Sequence, residues 1–517
     1  MSARESSTTV ERQIDAGGKG TRQAARGSLA NLVGAGYAGV ASFVVTALVA
    51  RIASQEEAGL YFVAVSILLI ASSLTQVGVP VGYVYFLARL RGTGRATHIR
   101  PVLAVGALPV AALIVVVVVL GIVLRDPLGR LLFGASVDGS AVLVVVIAGA
   151  LPIAVLADAV LAATRGFGIM RPTVVADKFV NPSVQLLALV ALSLVARTDG
   201  ADLVWTRIAG LVLAAAIGLA WLLALLRSVP SGQGAWRADA ATWTSFWRFT
   251  GPRAVGQFAQ VGIQRIDIVM VALWLGPAEA AVYAAATRFL VFGQLAATAI
   301  GSALQPRISA MASRRDFGAL QHLYRTSTAW ILFATWPLYL TFIVHAETLM
   351  RVFGTDYVSG AVVLRVLSAA MLVATACGSV DSVLLMAGKS TLTMINAWIA
   401  LGVNVGLNVW LIPQIGILGA ALAWAAAIVV NNLVPLAQVR LTLALHPFGR
   451  MTALATSVPL ALFGVLPWVA SIVWGIDLAA MIVTGVAVVV YLPLLWRWRR
   501  LLGLDHLLRM RRRGASA

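Results

Sequence analysis

The sequence is poor in charged residues. Asp, Glu, Lys and Arg make up 11% of the 517 residues, whereas soluble domains contain about 25%. Hydrophobic residues account for 60% of the chain, and the mean hydropathy is +0.92. This composition excludes an ordinary soluble globular protein and predicts an all-α polytopic membrane protein, because each membrane-spanning helix needs about 20 apolar residues.

Cysteine, histidine and long loops are also scarce. The single cysteine, Cys377, excludes an internal disulfide framework and a cysteine-based metal site. The five histidines are scattered without ligand spacing, so we expect neither a metal nor a cofactor. No connection between apolar segments is long enough to hold a soluble catalytic domain, and the sequence therefore does not predict an enzyme.

Apolar runs long enough to cross a bilayer occur fourteen times. The predicted spans are 28–50, 58–80, 101–124, 140–162, 174–196, 203–226, 253–275, 280–304, 327–345, 361–386, 391–412, 416–439, 452–472 and 476–496. The fifth is the weakest, because Asp177, Lys178, Asn181 and Pro182 interrupt its start. The first run exceeds a signal-peptide core, so we expect an uncleaved span.

The positive charge follows the connections between the spans. A net charge of +19 would suggest nucleic-acid binding in a soluble protein, but no nucleic acid is expected here. Most of the 39 Lys and Arg residues fall in connections that are cytoplasmic if the N-terminus is inside. The positive-inside rule therefore predicts that both termini are cytoplasmic.

Both ends of the chain are polar. Residues 1–27 combine Ser, Thr and Gly with mixed charge, and we expect a disordered cytoplasmic tail. Residues 497–517 form a basic, leucine-rich cytoplasmic tail. This tail either lies on the anionic lipids of the inner leaflet or serves as a plain positive-inside anchor.

The chain contains an internal repeat. VARIASQEEAGLY at 49–61 aligns with VALWLGPAEAAVY at 271–283, and LLFG at 131–134 aligns with RVFG at 351–354 at nearly the same spacing. Both copies begin with an outward-running helix, so the repeat is parallel. The predicted fold is two parallel-repeat six-helix bundles plus two C-terminal helices. The predicted units are an N-terminal bundle at 28–226, a cytoplasmic inter-lobe loop at 227–252, a C-terminal bundle at 253–439 and helices 13–14 at 451–496.

The seventh span carries a polar stripe. At about 100° per residue, its members fall within roughly 80° of one face, and they are Arg253, Gln257, Gln260, Gln264 and Asp267. A charged residue at the centre of a span costs about 2.5–3.5 kcal/mol on insertion scales. The stripe should therefore face protein or a watery cavity between the lobes, with Arg265 flanking it.

The first span has one face of small and hydroxyl residues. Its members are Ser28, Asn31, Ala35, Ala38, Ser42 and Thr46. Such a face suits close helix packing in membranes and equally suits the lining of a cavity. We keep both interpretations open and count Asn31, Ser42 and Thr46 as candidate cavity residues.

Four segments resemble a known family: GSLANLVGAGYAGVASFVVTALVARIASQEEAGLY, QRIDIVMVALWLGPAEAAVYAAATR, QPRISAM and NVGLNVWLIPQIGILGAALA. They are similar to the polysaccharide-export oligosaccharide flippases of the multidrug/oligosaccharidyl-lipid/polysaccharide transporter superfamily. The resemblance covers spans 1 to 12. It implies two bundles arranged in a V, alternating access, and transport of an undecaprenyl-diphosphate-linked glycan from the inner to the outer leaflet.

The resemblance also implies a site, a location and partners. The typically cationic cavity of this family falls here on Arg265, with Asp267 and Arg288 beside it. The implied location is the cytoplasmic membrane of a bacterium. A glycan polymerase or glycosyltransferases are conceivable partners alongside the lipid-linked substrate.

Two relatives of this family remain as alternative functions. One is an ion-coupled multidrug and toxic-compound extruder, although such exporters favour carboxylates and aromatic residues over arginine and glutamine. The other is a lipid II flippase, whose pattern of a charged first span this chain lacks. A membrane enzyme that polymerises or ligates glycans is disfavoured by the short outer loops.

The remaining charges within spans receive separate predictions. Asp267 and Arg288 lie at similar depths on adjacent helices, and we predict an ion pair between them. Arg265 is too central to reach either surface, so it contacts either substrate or a structural partner. Four more charged residues lie near the ends of spans. We expect Arg207 and Arg365 to reach the membrane surface. Asp158 and Asp381 should either cap or pair with the basic inner loops or carry a coupling ion.

Overall fold

The computed structural model of the protein describes residues 31–134, 137, 139–194, 199–230, 236–474 and 477–498. Within these residues it is helical, with fourteen helices that are long and apolar enough to cross a membrane. This confirms the predicted all-α polytopic fold. The predicted tail 1–27 and nearly all of the tail 497–517 lie outside the described residues.

The membrane-spanning helices are numbered α1 to α14. Their bounds are α1 Asn31–Ile52, α2 Gln55–Gln76, α3 Ala96–Val123, α4 Ser140–Gly166, α5 Thr173–Leu192, α6 Gly200–Arg227, α7 Ala240–Leu275, α8 Pro277–Gln305, α9 Phe317–Val344, α10 Thr355–Ala376, α11 Ser390–Ile415, α12 Ile417–Leu443, α13 Arg450–Trp474 and α14 Leu478–Arg497. Short helices at Val79–Gly92, Arg125–Phe133, Ala346–Met350 and Val380–Met386 lie between them. "Inner" and "outer" below denote the faces that the charge pattern predicts to be cytoplasmic and external.

Three helices differ from their predicted bounds by at least ten residues: α7 and α9 begin earlier, at Ala240 and Phe317, and the tenth span ends earlier, at Ala376. The helix α7 begins at Ala240, well before residue 253, because the Asp239 side chain caps it by accepting a hydrogen bond from the Thr242 backbone N–H. The tenth predicted span is broken after Ala376, since Gly378 adopts the left-handed region with φ of 67°. The chain then resumes as the short helix Val380–Met386.

We refer to helices α1–α6 as the first lobe and to α7–α12 as the second lobe; α13–α14 pack beside α9. The lobes meet where α2 packs against α7 and α8. This contact is close because Gly59 of α2 lies against the Pro277 carbonyl at the start of α8, where no side chain would fit. Phe43 of α1 adds ring contacts with Phe289 and Phe353 of the second lobe.

The outer ends of the lobes are joined by hydrogen bonds. The Arg51 guanidinium at the end of α1 donates to the backbone carbonyls of Arg351 at 2.9 Å and Val352 at 3.0 Å. The Gln55 amide donates to the Asp356 carbonyl at 3.2 Å. All three acceptors precede or begin α10, so the outer side of the interface between the lobes is held closed.

Candidate functional site

A cavity of about 210 Å³ lies between the two lobes. Three arginines from three different helices line it: Arg207 of α6, Arg265 of α7 and Arg288 of α8. Side chains of α1, α2 and α5 complete the wall, including Ser42 and Thr46. We call this the arginine cavity.

Arg207 is held in place by the packing of α5 on α6. Gly210 lies one turn after Arg207, and a Cβ there would collide with the backbone carbonyl of Asn181. The glycine therefore lets α5 approach closely. As a result, Arg207 donates to Asn181 Oδ1 at 3.3 Å and to Gln185 Oε1 at 3.4 Å, and Gln185 in turn donates to the Tyr61 hydroxyl at 2.6 Å.

Arg265 and Arg288 face the same cavity from the second lobe. The Arg288 guanidinium carbon lies 6.0 Å from the centre of the Phe62 ring on α2, within the range of a cation–π contact. The Arg288 Nε is buried and has no described hydrogen-bond acceptor. Neither residue forms an ion pair with any residue that the structure describes.

Among the described lining residues of the cavity, Asp177 is the one carboxylate, and a lysine already neutralises it. Asp177 Oδ2 lies 2.6 Å from Lys178 Nζ, and both residues belong to the π-helical first part of α5, Thr173–Val180. Single π-helical turns occur frequently at functional sites. With this pair cancelled, the cavity wall carries an excess of three positive charges from its arginines.

Asp267 occupies a different environment from the one predicted. Its carboxylate accepts hydrogen bonds from Asn408 Nδ2 at 2.7 Å and from the Tyr283 hydroxyl at 3.1 Å, and the residue is only 2% exposed. The predicted Asp267–Arg288 ion pair is therefore wrong. The sequence placed both side chains at similar depth but could not fix their directions: Asp267 bonds towards α11, and Arg288 turns to the arginine cavity.

The other stripe residues on α7 do not act as one surface. Gln260 lines a second cavity, described below, and Arg253 lies at the inner end, where it donates to the Phe249 carbonyl at 2.7 Å. Gln257 and Gln264 are exposed and are not part of the arginine cavity wall. Asn31 begins α1, far along the helix from Ser42, and is also not in that wall.

The predicted span-end residues have mixed outcomes. The expectation that Arg207 reaches the membrane surface is wrong, because its amide partners on α5 hold it in the arginine cavity. The Arg365 side chain is 40% exposed and pairs with Glu347 at 2.9 Å. Asp158 accepts from the Gln76 amide at 2.7 Å, whereas Asp381 lines the second cavity and has no described hydrogen bond or ion pair.

The second cavity has a volume of about 410 Å³ and lies within the second lobe. It is lined by residues of α7, α8, α9, α10 and α12, by the non-helical residues that precede Val380–Met386 and by the start of that short helix. Its polar lining includes amides and hydroxyls, with Asp381 as the one charged side chain among the described lining residues. We call this the amide cavity.

Comparison with known proteins identifies the family. The sequence model of the family described as "Polysaccharide biosynthesis protein" matches residues 24–312, more than half of the chain. The chain belongs to this family. The family resemblance inferred from the sequence is thereby confirmed, and a second model, MatE, matches residues 252–410.

One curated relative is the "Probable low-salt glycan biosynthesis flippase Agl15" of Haloferax volcanii. It is 23% identical to this chain over 235 residues, which are 45% of this chain and 48% of that protein. The match therefore spans about half the length of the curated relative.

Solved structures share the fold of this family member. The lipid II flippase MurJ in an inward closed conformation superposes with a TM-score of 0.71 at 13% identity, over 91% of this chain and 98% of that one. An inward-facing multidrug resistance MATE transporter gives a TM-score of 0.67 at 14% identity, over 79% and 94%. A Pyrococcus furiosus transporter of the MOP superfamily, described as having a binding pocket of reverse polarity, gives a TM-score of 0.59 at 14% identity, over 82% of this chain and 96% of that one.

Sequence reasoning missed several residues of the arginine cavity, although one signal for them was present. The polar residues that weaken the fifth span, among them Lys178 and Asn181, are those that line the cavity. Gln185, one turn further on, belongs to the same face. Polar residues inside a span usually face a bundle interior or a cavity, so the interruption marked a functional face.

Proposed function

We propose that this protein is a flippase that moves a lipid-linked oligosaccharide, of the undecaprenyl-diphosphate type, across the cytoplasmic membrane by alternating access. The observation that carries the proposal is the arginine cavity. Arg207, Arg265 and Arg288 converge between the lobes, and no described carboxylate is left to neutralise them. The family membership and the glycan flippase among the relatives support the same assignment.

A diphosphate matches the chemistry of this cavity. Arginine presents several N–H donors in a planar fork, which binds phosphate oxygens in pairs. Like charges that share a cavity of low dielectric constant repel one another, and an entering anion converts that repulsion into attraction. A diphosphate has enough oxygens to meet donors from three helices at once.

The position of the cavity suits a carrier with two alternating states. The arginines come from both lobes, with Arg207 on the first and Arg265 and Arg288 on the second. A bound diphosphate would therefore bridge the lobes. Hydrogen bonds from Arg51 and Gln55 close the outer end of the interface, so rearrangement there is the step that would release the lipid outward.

The wider assignment is part of the proposal. We place the protein in a bacterial cytoplasmic membrane with both termini inside, as the distribution of basic residues indicates. Its basic C-terminal tail would contact anionic lipid of the inner leaflet. Glycosyltransferases would supply the substrate on the inner side, and a glycan polymerase could consume it on the outer side.

Arg265 provides the test in cells. If it binds the diphosphate, Arg265→Ala should leave the protein in the membrane at normal abundance but block export, and lipid-linked glycan should accumulate. Arg265→Lys should restore only part of the export, because lysine keeps the charge and loses the fork. Extraction and mass spectrometry of the accumulated lipid would identify the glycan and distinguish the accumulated lipid from lipid II.

Arg365→Ala is the matched control for this experiment. Arg365 is another arginine of the second lobe, but it pairs with Glu347 of the short helix Ala346–Met350 and is not part of the arginine cavity wall. Normal export by the Arg365 variant together with blocked export by the Arg265 variant supports the proposal. Full export by Arg265→Ala at normal abundance contradicts it.

A further inference from the structure

We propose that the amide cavity binds the sugar attached to the diphosphate of the transported lipid. This inference rests on the proposed function, since it assigns the glycan part of the same substrate. The arginine cavity, at about 210 Å³, is smaller than the 300–1,000 Å³ typical of ligand pockets. It suits a diphosphate, and the glycan requires additional space.

The amide cavity lies where that space is needed. Gln260 precedes Arg265 by five residues on α7, and Gln294 follows Arg288 by six residues on α8. At 1.5 Å per residue these amides lie about 8 and 9 Å from the arginines along their helices. Because α7 and α8 are antiparallel, both displacements point to the inner face, so the amide cavity lies inward of the arginine cavity along the same two helices.

The lining has the chemistry of a carbohydrate site. The cavity wall includes Gln260, Gln294 and Gln305, and none of their side-chain amides has a described intramolecular hydrogen bond. Hydroxyl groups such as that of Ser382 add donors and acceptors. Among the described lining residues there is no Lys, Arg or His, so the wall favours a neutral polyhydroxylated group over a second anion.

Asp381 differs from its counterpart in the internal repeat because it has no described hydrogen-bond donor. In the first lobe, Asp158 accepts a hydrogen bond from Gln76 at 2.7 Å. At the spacing that relates Tyr61 to Tyr283, Asp158 corresponds within one residue to Asp381, and Gln76 corresponds to Thr298. Thr298 is shorter, and Asp381 has no described partner.

The interruption of the helix before Asp381 places this carboxylate beside the cavity. Gly378 adopts φ of 67° and packs against Thr328 so closely that no side chain would fit. The next helix starts at Val380, which places Asp381 in its first turn beside the cavity. A carboxylate with free lone pairs accepts strong hydrogen bonds from sugar hydroxyls.

The test uses a pair of ligands that differ only in the sugar. Purified full-length protein is mixed with undecaprenyl diphosphate and undecaprenyl diphospho-N-acetylglucosamine, and native mass spectrometry measures the ratio of the bound species. Wild type should prefer the glycosylated lipid by about 10-fold, because one or two additional hydrogen bonds contribute the corresponding binding free energy. Gln294→Ala and Asp381→Asn should bring the ratio close to one without reducing the binding of the bare diphosphate.

Two control variants separate this proposal from the proposed function. Asp158→Asn alters the matching carboxylate of the other lobe and should keep the wild-type preference. Arg265→Gln should weaken the binding of both ligands. A wild type without preference, or an undiminished preference in both Gln294→Ala and Asp381→Asn, overturns the sugar site alone. A wild type that binds neither ligand overturns the proposed function as well.

Discussion

Asp267 is predicted to be coupled to Asn408 and not to Arg288. Its carboxylate accepts from Asn408 on α11 and from Tyr283 on α8. All three residues are at most 2% exposed, so water cannot replace a lost partner. Replacing either Asp267 or Asn408 by leucine, which has a similar size, removes the hydrogen bond between them without opening a large cavity.

The coupling energy can be estimated from the contact. Interhelical hydrogen bonds between side chains in a membrane protein average about 0.6 kcal/mol, with a maximum near 1.7. A bond to an ionised group is roughly twice as strong as a neutral one. We therefore expect a coupling of about 1–2 kcal/mol between Asp267→Leu and Asn408→Leu. Asp267→Leu and Arg288→Met should be additive within about 0.5 kcal/mol, because these residues share no described contact.

The assay is a pair of double-mutant cycles. Unfolding free energies of the purified variants are measured by titrating SDS into mixed micelles, with Trp fluorescence as the signal. A coupling near zero for Asp267 and Asn408 would refute the hydrogen-bond network. A coupling above about 1 kcal/mol for Asp267 and Arg288 would restore the ion pair that the sequence suggested.

Two further predictions concern the lobes and the topology. Arg51→Ala removes two hydrogen bonds across the outer closure. In a Cys377→Ser background, it should increase the labelling of a cysteine at residue 46 by a reagent added from outside, by about 2- to 10-fold. Unchanged labelling would show that these bonds do not hold the closure. A cysteine at residue 318 should be labelled from the cytoplasm and one at residue 355 from outside; outside labelling of residue 318 would contradict the orientation.

The sequence was sufficient for the number and order of the spans. Runs of apolar residues report burial in lipid directly, and each of the fourteen predicted runs overlaps a helix of the structure. The bounds were less certain, because the polar start of α7 at residues 240–252 is held by the Asp239 cap and by packing against Val79–Gly92. Hydropathy does not detect either contribution.

The candidate site was predictable only in part. Arg265 was identified because its depth in the span excludes an exit to the surface. Its companions Arg207 and Lys178 were not, because their roles depend on how α5 and α6 pack at Gly210. Helical periodicity places residues on one helix face, but it cannot say which neighbouring helix that face meets.

The central claim is that the arginine cavity carries a lipid diphosphate across the membrane. Its most direct test reconstitutes the protein in liposomes that contain undecaprenyl diphospho-N-acetylglucosamine. An impermeant galactosyltransferase outside then modifies only sugars that reach the outer leaflet. Wild type and Arg365→Ala should allow nearly all of the lipid to be modified. Arg265→Ala should slow the modification of lipid that starts in the inner leaflet by about 10- to 100-fold, because a charge-assisted contact is lost. Equal rates for wild type and Arg265→Ala, or no modification beyond the outer-leaflet portion with wild type, would contradict the claim.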